Sequence, residues 1–306
     1  MAVTVIEKKV LSSDKIHTLA GKVYLPDDKP KGLFQVVHGM TEHIERYDEF
    51  MRTMAEYGYI CFGYDHLGHG KTANDDSELG FIASNGGWKL LVSDVICFAS
   101  AMKLEYGKTL PYILMGHSMG SFIVRMASVM YSAPDKLIIM GTGGPNGATN
   151  AGLAVLKIVR AIYGERHISP FVEKLAFGGY NKIFGDDDPH NWLTKDAEIR
   201  KKYANDKFCT FHFTVSALQD LITLNKLCNK RSWFSSRNRR MPILLVSGQD
   251  DPVGNYGKGV LEVRHRLDRH DANVFIRLYE DCRHEILNDT CKNEVTEDIL
   301  EFISRH

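Results

Sequence analysis

One short segment of the chain has the residue pattern of a serine nucleophile. Gly116-His117-Ser118-Met119-Gly120 is a Gly-x-Ser-x-Gly pattern, and it falls where an apolar strand is predicted to end and a helix to begin. A sharp turn of this kind holds the serine in strained backbone geometry with its hydroxyl exposed above the sheet. Glycines are needed beside it because side chains would clash with the neighbouring strand and helix. We therefore predict Ser118 as the nucleophile of an acyl transfer.

A serine nucleophile needs a base, and the base needs a carboxylate that orients it. When the serine sits on a strand-to-helix turn, the acid and then the histidine follow it along the chain. Asp250 and Asp251 come directly after one predicted strand, and His284 comes directly after the next. Because ligand sites form at the carboxyl ends of parallel strands, we predict His284 as the base. The acid stays open at this point between Asp251, which precedes a proline that stiffens the turn, and Asp250.

The oxyanion formed by such an attack needs backbone N–H donors. We predict one donor at Met119, the residue after the nucleophile, and a second at Met40, in the loop after the first parallel strand. His38, in the same loop, is interpreted as shaping the loop through a hydrogen bond rather than as a base. Five residues are predicted to bind substrate: His38, Gly39, His117, Phe211 and Val253.

A mostly parallel sheet is predicted to position these groups. Short apolar runs predict strands over residues 33–37, 59–63, 112–115, 136–140, 242–246 and 274–279. Amphipathic spacing predicts helices over residues 47–57, 88–106, 121–130, 257–267 and 292–303. Strands that alternate with helices indicate crossover connections and helices on both faces of the sheet. Residues 3–25 alternate apolar and polar, as an antiparallel edge hairpin does.

The alternating pattern stops between residues 143 and 240, where no strand is predicted. Helices are predicted there over residues 152–163 and 215–227, with an aromatic cluster between them. We therefore expect a first core segment of residues 1–144, a helical cap of residues 145–240 and a second core segment of residues 241–306. Leu153, Leu156, Ile158 and Ile162 are expected either to face lipid or substrate, or to pack the cap on the core.

Composition excludes several classes of protein. The chain has 306 residues, of which 44% are hydrophobic, and it carries 38 basic and 38 acidic residues. A disordered or fibrous chain is excluded, and a net charge of zero gives no pull toward nucleic acid. No apolar stretch is long enough to span a membrane and no signal peptide is evident, so we expect a cytoplasmic protein. Six cysteines without Cys-x-x-Cys pairing are expected to be free thiols.

No cofactor is needed for this chemistry, and no metal site is predicted. His66 and His69, with His38 and His43, offer imidazoles, but no third ligand has metal-like spacing. A basic stretch without any acid precedes the fifth parallel strand; its members are Lys226, Lys230, Arg231, Arg237, Arg239 and Arg240. We interpret it as a solvated linker in preference to a surface that meets anionic lipid.

The chain resembles the monoacylglycerol lipase and lysophospholipase group of the α/β-hydrolase superfamily, also described as serine aminopeptidase-like hydrolases. The matching segments are His38-Gly-Met-Thr-Glu-His43 with Arg46-Tyr47, Asp65-His-Leu-Gly-His-Gly70, the Gly116 to Gly120 motif, Gly248-x-x-Asp251-Pro-Val253 and Arg283-His284-Glu285. They span nearly the whole predicted core. The resemblance implies an eight-stranded, mostly parallel sheet with a helical cap inserted after strand 6. It also implies Asp251 as the acid and a mobile cap over an acyl-binding pocket.

The function that follows is hydrolysis of an acyl ester through an acyl-enzyme. The expected substrate is a small acyl ester or lipid: monoacylglycerol, lysophospholipid or a short-chain ester, with possible peripheral contact with membrane lipid. An alternative is a prolyl-type aminopeptidase of the same fold, which would need acidic cap residues aimed at the substrate amine; Glu165, Glu173 and the cluster at Asp186 are the candidates. A second alternative is a non-catalytic small-ligand receptor, and the complete triad counts against it.

Overall fold

A single eight-stranded sheet forms the centre of the molecule. The computed structural model describes residues 3–130, 134–185, 187–236 and 238–306. The described strands are β1 Thr4–Leu11, β2 Thr18–Leu25, β3 Gly32–Val37, β4 Tyr59–Tyr64, β5 Tyr112–His117, β6 Lys136–Met140, β7 Ile243–Gly248 and β8 Val274–Tyr279. They lie in the order β1-β2-β4-β3-β5-β6-β7-β8. β1 with β2 and β2 with β4 are antiparallel, and every other neighbouring pair is parallel. The mostly parallel sheet and its N-terminal edge hairpin are therefore confirmed.

Helices cover both faces of this sheet. Among the described residues the α-helices are α1 Asp48–Glu56, α2 Gly87–Tyr106, α3 Met119–Met130, α4 Thr149–Tyr163, α5 Pro170–Phe177, α6 Ala197–Ala204, α7 Val215–Cys228, α8 Arg231–Ser236, α9 Lys258–Asp268 and α10 Lys292–Arg305. Apolar residues of α1 and α10 pack on one face of the sheet. Those of α2, α3 and α9 pack on the other face. Every residue of β3, β5 and β7 is buried, because strands covered on both faces have continuous apolar sequences.

Helices α4 to α8 lie between β6 and β7, where the helical cap is predicted. Helix α7 packs on α4 and also on α2 and α3 of the core. Asp220 of α7 is buried, and it accepts the backbone N–H groups of Gly87 and Trp88 at the first turn of α2. A buried carboxylate at a helix N-terminus satisfies N–H groups that have no partner within the helix, so it anchors the cap to the core. The predicted boundaries of the three segments stay predictions.

Asp186 and Arg237 lie outside the described residues. The expectation of six free thiols is wrong for one pair, because Cys282 and Cys291 form a disulfide. The chain between them folds back through the short turn at Ile286–Asn288 and brings the two Cα atoms to 6.6 Å. A spacing of nine residues gives no recognisable pairing pattern, so sequence reasoning could not find this bond. Cys61, Cys97, Cys209 and Cys228 are free.

Candidate active site

Ser118 lies on the strained strand-to-helix turn that its sequence pattern predicts. β5 ends at His117 and α3 begins at Met119, so Ser118 alone forms the corner. Its φ angle is +52°, in the left-handed region that non-glycine residues seldom occupy. A Cβ atom on Gly116 would lie 2.3 Å from the carbonyl oxygen of Gly120, and one on Gly120 would lie 2.1 Å from that of Val37. Both glycines are therefore required for the turn from β5 into α3 to fit against β3.

The loop after β3 lies directly against this corner. A Cβ atom on Gly39 would be 2.9 Å from the Cβ of Ser118, so the backbone there approaches the serine closely. Met40, the next residue, is half-buried against the apolar core. Met119 is the first residue of α3, where backbone N–H groups have no acceptor within the helix. The two predicted oxyanion donors thus lie on the two segments that meet at Ser118.

Asp251, rather than Asp250, contacts the predicted base. Asp251 is completely buried, and its Oδ1 lies 2.9 Å from Nδ1 of His284. The contact is close, but the N–H direction at Nδ1 is not in line with the oxygen. Asp251 also accepts the N–H of Val253 at 2.8 Å and the hydroxyl of Ser247 at 3.2 Å. The backbone N–H of Asp250 donates to the carbonyl of Cys282 instead.

The electrostatic environment favours the ionised form of Asp251. Burial by itself would raise the pKa of the Asp251 carboxyl, but the charge and contact of His284 and the N–H of Val253 lower it below its ordinary value. The loops that carry the two residues are tightly packed, since a Cβ on Gly248 would lie 2.1 Å from the carbonyl oxygen of Cys282. A buried, ionised carboxylate next to an imidazole is the arrangement that orients a catalytic base and stabilises its protonated form.

A buried carboxylate beside the oxyanion loop organises a network that sequence reasoning missed. Glu42 accepts a very short hydrogen bond from the N–H of Gly39 and a hydrogen bond of 3.0 Å from the hydroxyl of Tyr47. The same carboxylate lies 3.0 Å from Nδ1 of His117, whose Nε2 lies 3.2 Å from the carbonyl oxygen of His284. Through His117, Glu42 therefore connects the oxyanion loop to the loop of the predicted base.

An arginine makes a second, parallel connection between these two loops. Arg46 donates to Glu42 at 3.3 Å and to both carboxylate oxygens of Glu285 at 2.6 and 2.7 Å. Glu285 is the residue after His284, and the side chains of Arg46 and Glu285 are only 10% and 5% exposed. Bidentate pairs of this kind combine charge with a fixed geometry. The network therefore holds the oxyanion loop and the histidine loop in one arrangement.

The pKa shifts within the network follow from its contacts. Burial alone would raise the pKa of the Glu42 carboxyl, but His117, Arg46 and the N–H of Gly39 lower it to about 2. Burial alone would lower the pKa of His117, but Glu42 and the carbonyl of His284 raise it. Likewise, burial disfavours the charge on Arg46 while Glu285 and Glu42 raise its pKa. The network is thus an arrangement of buried charges that compensate one another.

Protein groups engage the rings of two of the predicted substrate residues, His38 and His117. His38 is completely buried; its Nδ1 lies 2.8 Å from the carbonyl of Gly39, and its Nε2 accepts the N–H of His66. The loop-shaping interpretation of His38 is therefore confirmed, and the ring offers no nitrogen to a substrate. The ring of His117 is likewise engaged on both nitrogens by protein groups.

The other predicted substrate residues differ in how close they lie to the predicted triad. Gly39 approaches Ser118, and Val253 contacts Asp251 through its backbone. Phe211 packs on His69, with 5.3 Å between ring centroids, and beside Phe213. A role for these three residues in binding substrate stays a prediction.

Comparison with known proteins identifies the family. Residues 28–291 match the family described as serine aminopeptidase, S33. The chain belongs to this family. A monoglyceride lipase homolog of Monkeypox virus is 35% identical, over 96% of this chain and 94% of the relative. A monoacylglycerol lipase of Mycolicibacterium smegmatis is 26% identical, over 97% and 99%. The crystal structure of a carboxyl esterase from Bacillus coagulans has a TM-score of 0.91 at 29% identity, covering 99% of this chain and 98% of that one.

The family and these relatives confirm the predicted α/β-hydrolase fold and make the protein a serine hydrolase. Ester hydrolysis in the broad sense is the reaction class that they support. The acidic residues considered for a peptidase have other contacts in this hydrolase. Glu165 lies at the surface, where the hydroxyl of Ser84 donates to it, and Glu173 pairs with His212 at 2.9 Å. Neither carboxylate is described in contact with the predicted triad.

Cap residues that sequence reasoning did not assign to the site contact the histidine loop of this hydrolase. The ring of Trp192 lies 5.1 Å from that of His284, and its carbonyl accepts the N–H of His284 at 3.4 Å. The carbonyl of Leu193 accepts the N–H of Glu285 at 2.7 Å. Tyr180 packs on Trp192 with 5.1 Å between ring centroids. The aromatic composition of the cap was a signal, but nothing in the sequence indicates which ring reaches the histidine.

Proposed function

We propose that this hydrolase cleaves carboxylic esters through an acyl-enzyme formed on Ser118, with His284 as base and Asp251 as the orienting acid. The observation that carries the proposal is the buried contact of 2.9 Å between Asp251 and His284, on loops that follow neighbouring parallel strands. Ser118, on the corner between β5 and α3, completes the set. Residues of these types in this chain order are the parts that serine esterases use.

The mechanism follows from the parts. His284 accepts the hydroxyl proton of Ser118 while the serine oxygen attacks the ester carbonyl carbon, and the imidazolium is stabilised by Asp251. The N–H groups of Met40 and Met119 donate to the oxyanion that forms. The intermediate collapses, the alcohol leaves with the proton from His284, and the acyl group stays on the serine. Water, deprotonated by His284, then attacks the acyl-enzyme and releases the carboxylic acid.

The proposed substrate class is an ester with one acyl chain, and monoacylglycerol is its first member. Two relatives that span nearly the whole chain carry the names monoacylglycerol lipase and monoglyceride lipase homolog. From the cap, Trp192 packs on His284 and Tyr180 packs on Trp192, and an apolar acyl chain would be favoured over a charged group beside these rings. Lysophospholipid and short-chain esters remain members of the same class.

The test compares three substrates: a long-chain monoacylglycerol, a short-chain aryl ester and an N-terminal proline amide. Wild type should hydrolyse the monoacylglycerol, and Ser118→Ala should lower kcat by a factor of about 10⁴ or more. Ser128→Ala, which removes a buried hydroxyl elsewhere on α3, is the matched control and should keep its activity. Cleavage of the amide in preference to both esters would indicate a peptidase and refute the proposal.

We also propose that the cap touches the lipid surface from which such a substrate comes. Leu156 of α4 is completely buried, whereas a set of large apolar side chains between residues 158 and 183 is more than half exposed; its members are Ile158, Ile162, Tyr163, Phe171, Leu175 and Ile183. These side chains lie on two consecutive helices and the turn after them, and a concentration of exposed apolar side chains is typical of an interaction surface. No described helix combines the length and the apolar character that crossing a bilayer requires.

Vesicle binding tests this contact. The double variant Ile162→Glu with Phe171→Glu should bind neutral phospholipid vesicles less than wild type in a sedimentation assay, because each change puts a charge on the proposed surface. Leu104→Glu is the matched control, since Leu104 is 72% exposed but lies on α2 of the core. Equal binding by wild type and the double variant would refute the proposal. Binding to anionic vesicles alone would assign the contact to the basic stretch.

A further inference from the structure

Three side chains of the types that bind zinc meet where the cap lies on the oxyanion loop. His43 comes from the segment between β3 and α1, and Asp206 and Cys209 come from the turn after α6. One ring nitrogen, one carboxylate oxygen and the thiol sulfur all lie within 4.8 Å of one another. The closest contact is 2.9 Å, between Nε2 of His43 and Oδ2 of Asp206. This juxtaposition joins parts of the chain that are more than 160 residues apart.

The surrounding structure holds the three side chains in place. The other carboxylate oxygen of Asp206 accepts the N–H of Phe208 at 2.8 Å, and the backbone N–H of Cys209 donates to the Asp206 carbonyl at 2.9 Å. The hydroxyls of Thr41 and Tyr203 lie 2.9 Å apart and join the same two segments. His43 and Cys209 are buried, whereas the carboxylate of Asp206 is about one-third exposed, so the cluster opens to solvent on one side.

The dimensions of the cluster suit a tetrahedral metal ion after a small adjustment. Zinc bonds of about 2.0 to 2.3 Å place neighbouring ligand atoms about 3.3 to 3.6 Å apart. The present spread of up to 4.8 Å therefore closes by about 1 Å, which rotation of the side chains of Cys209 and His43 supplies. A set of imidazole, carboxylate and thiolate favours zinc over magnesium or calcium, which prefer oxygen ligands alone. Solvent at the open side supplies the fourth ligand.

The charges near the cluster are compatible with a cation. The guanidinium of Arg46 lies 4.9 Å from the ring of Tyr203, near the cluster, but its charge is compensated by Glu285 and Glu42. Burial raises the pKa of the Cys209 thiol, and the charge of Arg46 acts in the opposite direction. A metal ion that binds the Cys209 sulfur has to displace the thiol proton.

We propose that His43, Asp206 and Cys209 form a zinc site that cross-links the cap to the oxyanion loop. On binding, the Cys209 thiol gives its proton to solvent as the sulfur–zinc bond forms, and His43 and Asp206 exchange their mutual contact for bonds to the metal. Zinc enters as the divalent ion and leaves one proton in solution, so no oxidant or reductant is required. Because binding is measured without turnover, the proposal stands or falls independently of the proposed ester hydrolysis.

Metal titration of the intact, untagged protein tests this site. The protein is reduced, freed of metal with a chelator and titrated with Zn²⁺ against a chromophoric competitor, and separately with Cd²⁺ to detect the near-ultraviolet thiolate-to-metal band. Wild type should bind one equivalent and show the band. Cys209→Ser should lose the band, and Asp206→Asn should weaken zinc binding by at least about 10-fold. Cys228→Ser removes another buried free thiol and is the matched control.

The outcomes separate the proposal from its rivals. Absence of saturable zinc binding by wild type would overturn it. A cadmium band of unchanged intensity in Cys209→Ser would also overturn it, because the thiolate would then come from another cysteine, such as reduced Cys282 or Cys291. Cys209 is buried, so its replacement can disturb folding; Asp206→Asn changes a partly exposed side chain and keeps the test valid if Cys209→Ser is not recovered. Unchanged affinity in Asp206→Asn counts against the site.

Discussion

The ion pair between Arg46 and Glu285 offers the sharpest test of how the two catalytic loops are held together. The substitution Glu285→Gln keeps the size of the side chain but removes its charge and one of its two acceptors. In the variant, the amide NH₂ of the glutamine would face one of the two Arg46 N–H groups. In the wild-type protein these groups donate to the Glu285 carboxylate at 2.6 and 2.7 Å. Arg46 would keep Glu42 as its partner, at the longer distance of 3.3 Å.

The size of the effect follows from the burial of the pair. Removing one partner of a buried ion pair costs about 3–5 kcal/mol, because the other charge is left without compensation. Glu42 still faces Arg46, so we expect a loss near the lower end, about 3 kcal/mol of the free energy of unfolding. For a chain of this size, that loss lowers Tm by about 5 °C. Displacement of the neighbouring His284 by a fraction of an ångström to 1 Å should lower kcat about 10-fold to 100-fold.

Denaturant unfolding and ester kinetics on the same preparation measure both effects. KM should change less than kcat, because the change affects the position of the base rather than the acyl pocket. Asp268→Asn is the matched control: it removes the acid of an exposed i,i+4 pair with Arg264 and should cost less than about 0.5 kcal/mol. If Glu285→Gln unfolds at the same denaturant concentration as Asp268→Asn and keeps wild-type kcat, the network does not position the histidine loop.

Two further predictions concern the acids of the site. Asp251→Asn should lower kcat by about 10³-fold to 10⁴-fold, because the neutral amide cannot stabilise the imidazolium of His284, while Asp250→Asn should leave it nearly unchanged; equal losses in the two variants would show that the acid is misassigned. The pKa of Glu42 is lowered from its ordinary value of 4.5 to about 2, so the ionised carboxylate should stabilise the fold at pH values above 4.5. This stabilisation should be lost as the pH falls toward 2. Urea midpoints between pH 5 and pH 2.5 should therefore fall less steeply in Glu42→Gln than in wild type, and parallel curves would contradict the assignment.

Local sequence patterns predict most of the fold and the residues of the predicted triad. The parallel strands were predicted with ends within two residues of those observed, because buried strands have continuous apolar sequences that end at turn residues. The nucleophile turn was predicted for a related reason, since only glycines fit beside β3 and α3 at Gly116 and Gly120. The position of Asp251 and His284 after consecutive strands follows from topology alone, because parallel strands bring their carboxyl ends to one edge.

These local patterns do not predict contacts between segments that are distant in the sequence. Arg46 and Glu285 are 239 positions apart, and each occurs in a stretch where a charged residue is unexceptional. The cysteines at 282 and 291 pair only because a short turn reverses the chain between them. His43 has no neighbour in the sequence with metal-ligand spacing, whereas the groups that lie close to it in space, Asp206 and Cys209, belong to the cap. Spacing rules describe neighbours on one element, whereas these pairs depend on how loops close in three dimensions.

The long-range contacts also connect the two halves of the predicted catalytic machinery. Glu42 and Arg46 belong to the segment of the oxyanion loop. Glu42 is connected to the carbonyl of His284 by way of His117, and Arg46 donates directly to Glu285. The cap reaches the same histidine loop through the carbonyls of Trp192 and Leu193. A displacement of the cap large enough to break the hydrogen bond between Leu193 and Glu285 would therefore change the backbone contacts of the residue next to His284. The cap and the predicted base are thus connected through one backbone segment, residues 284 and 285.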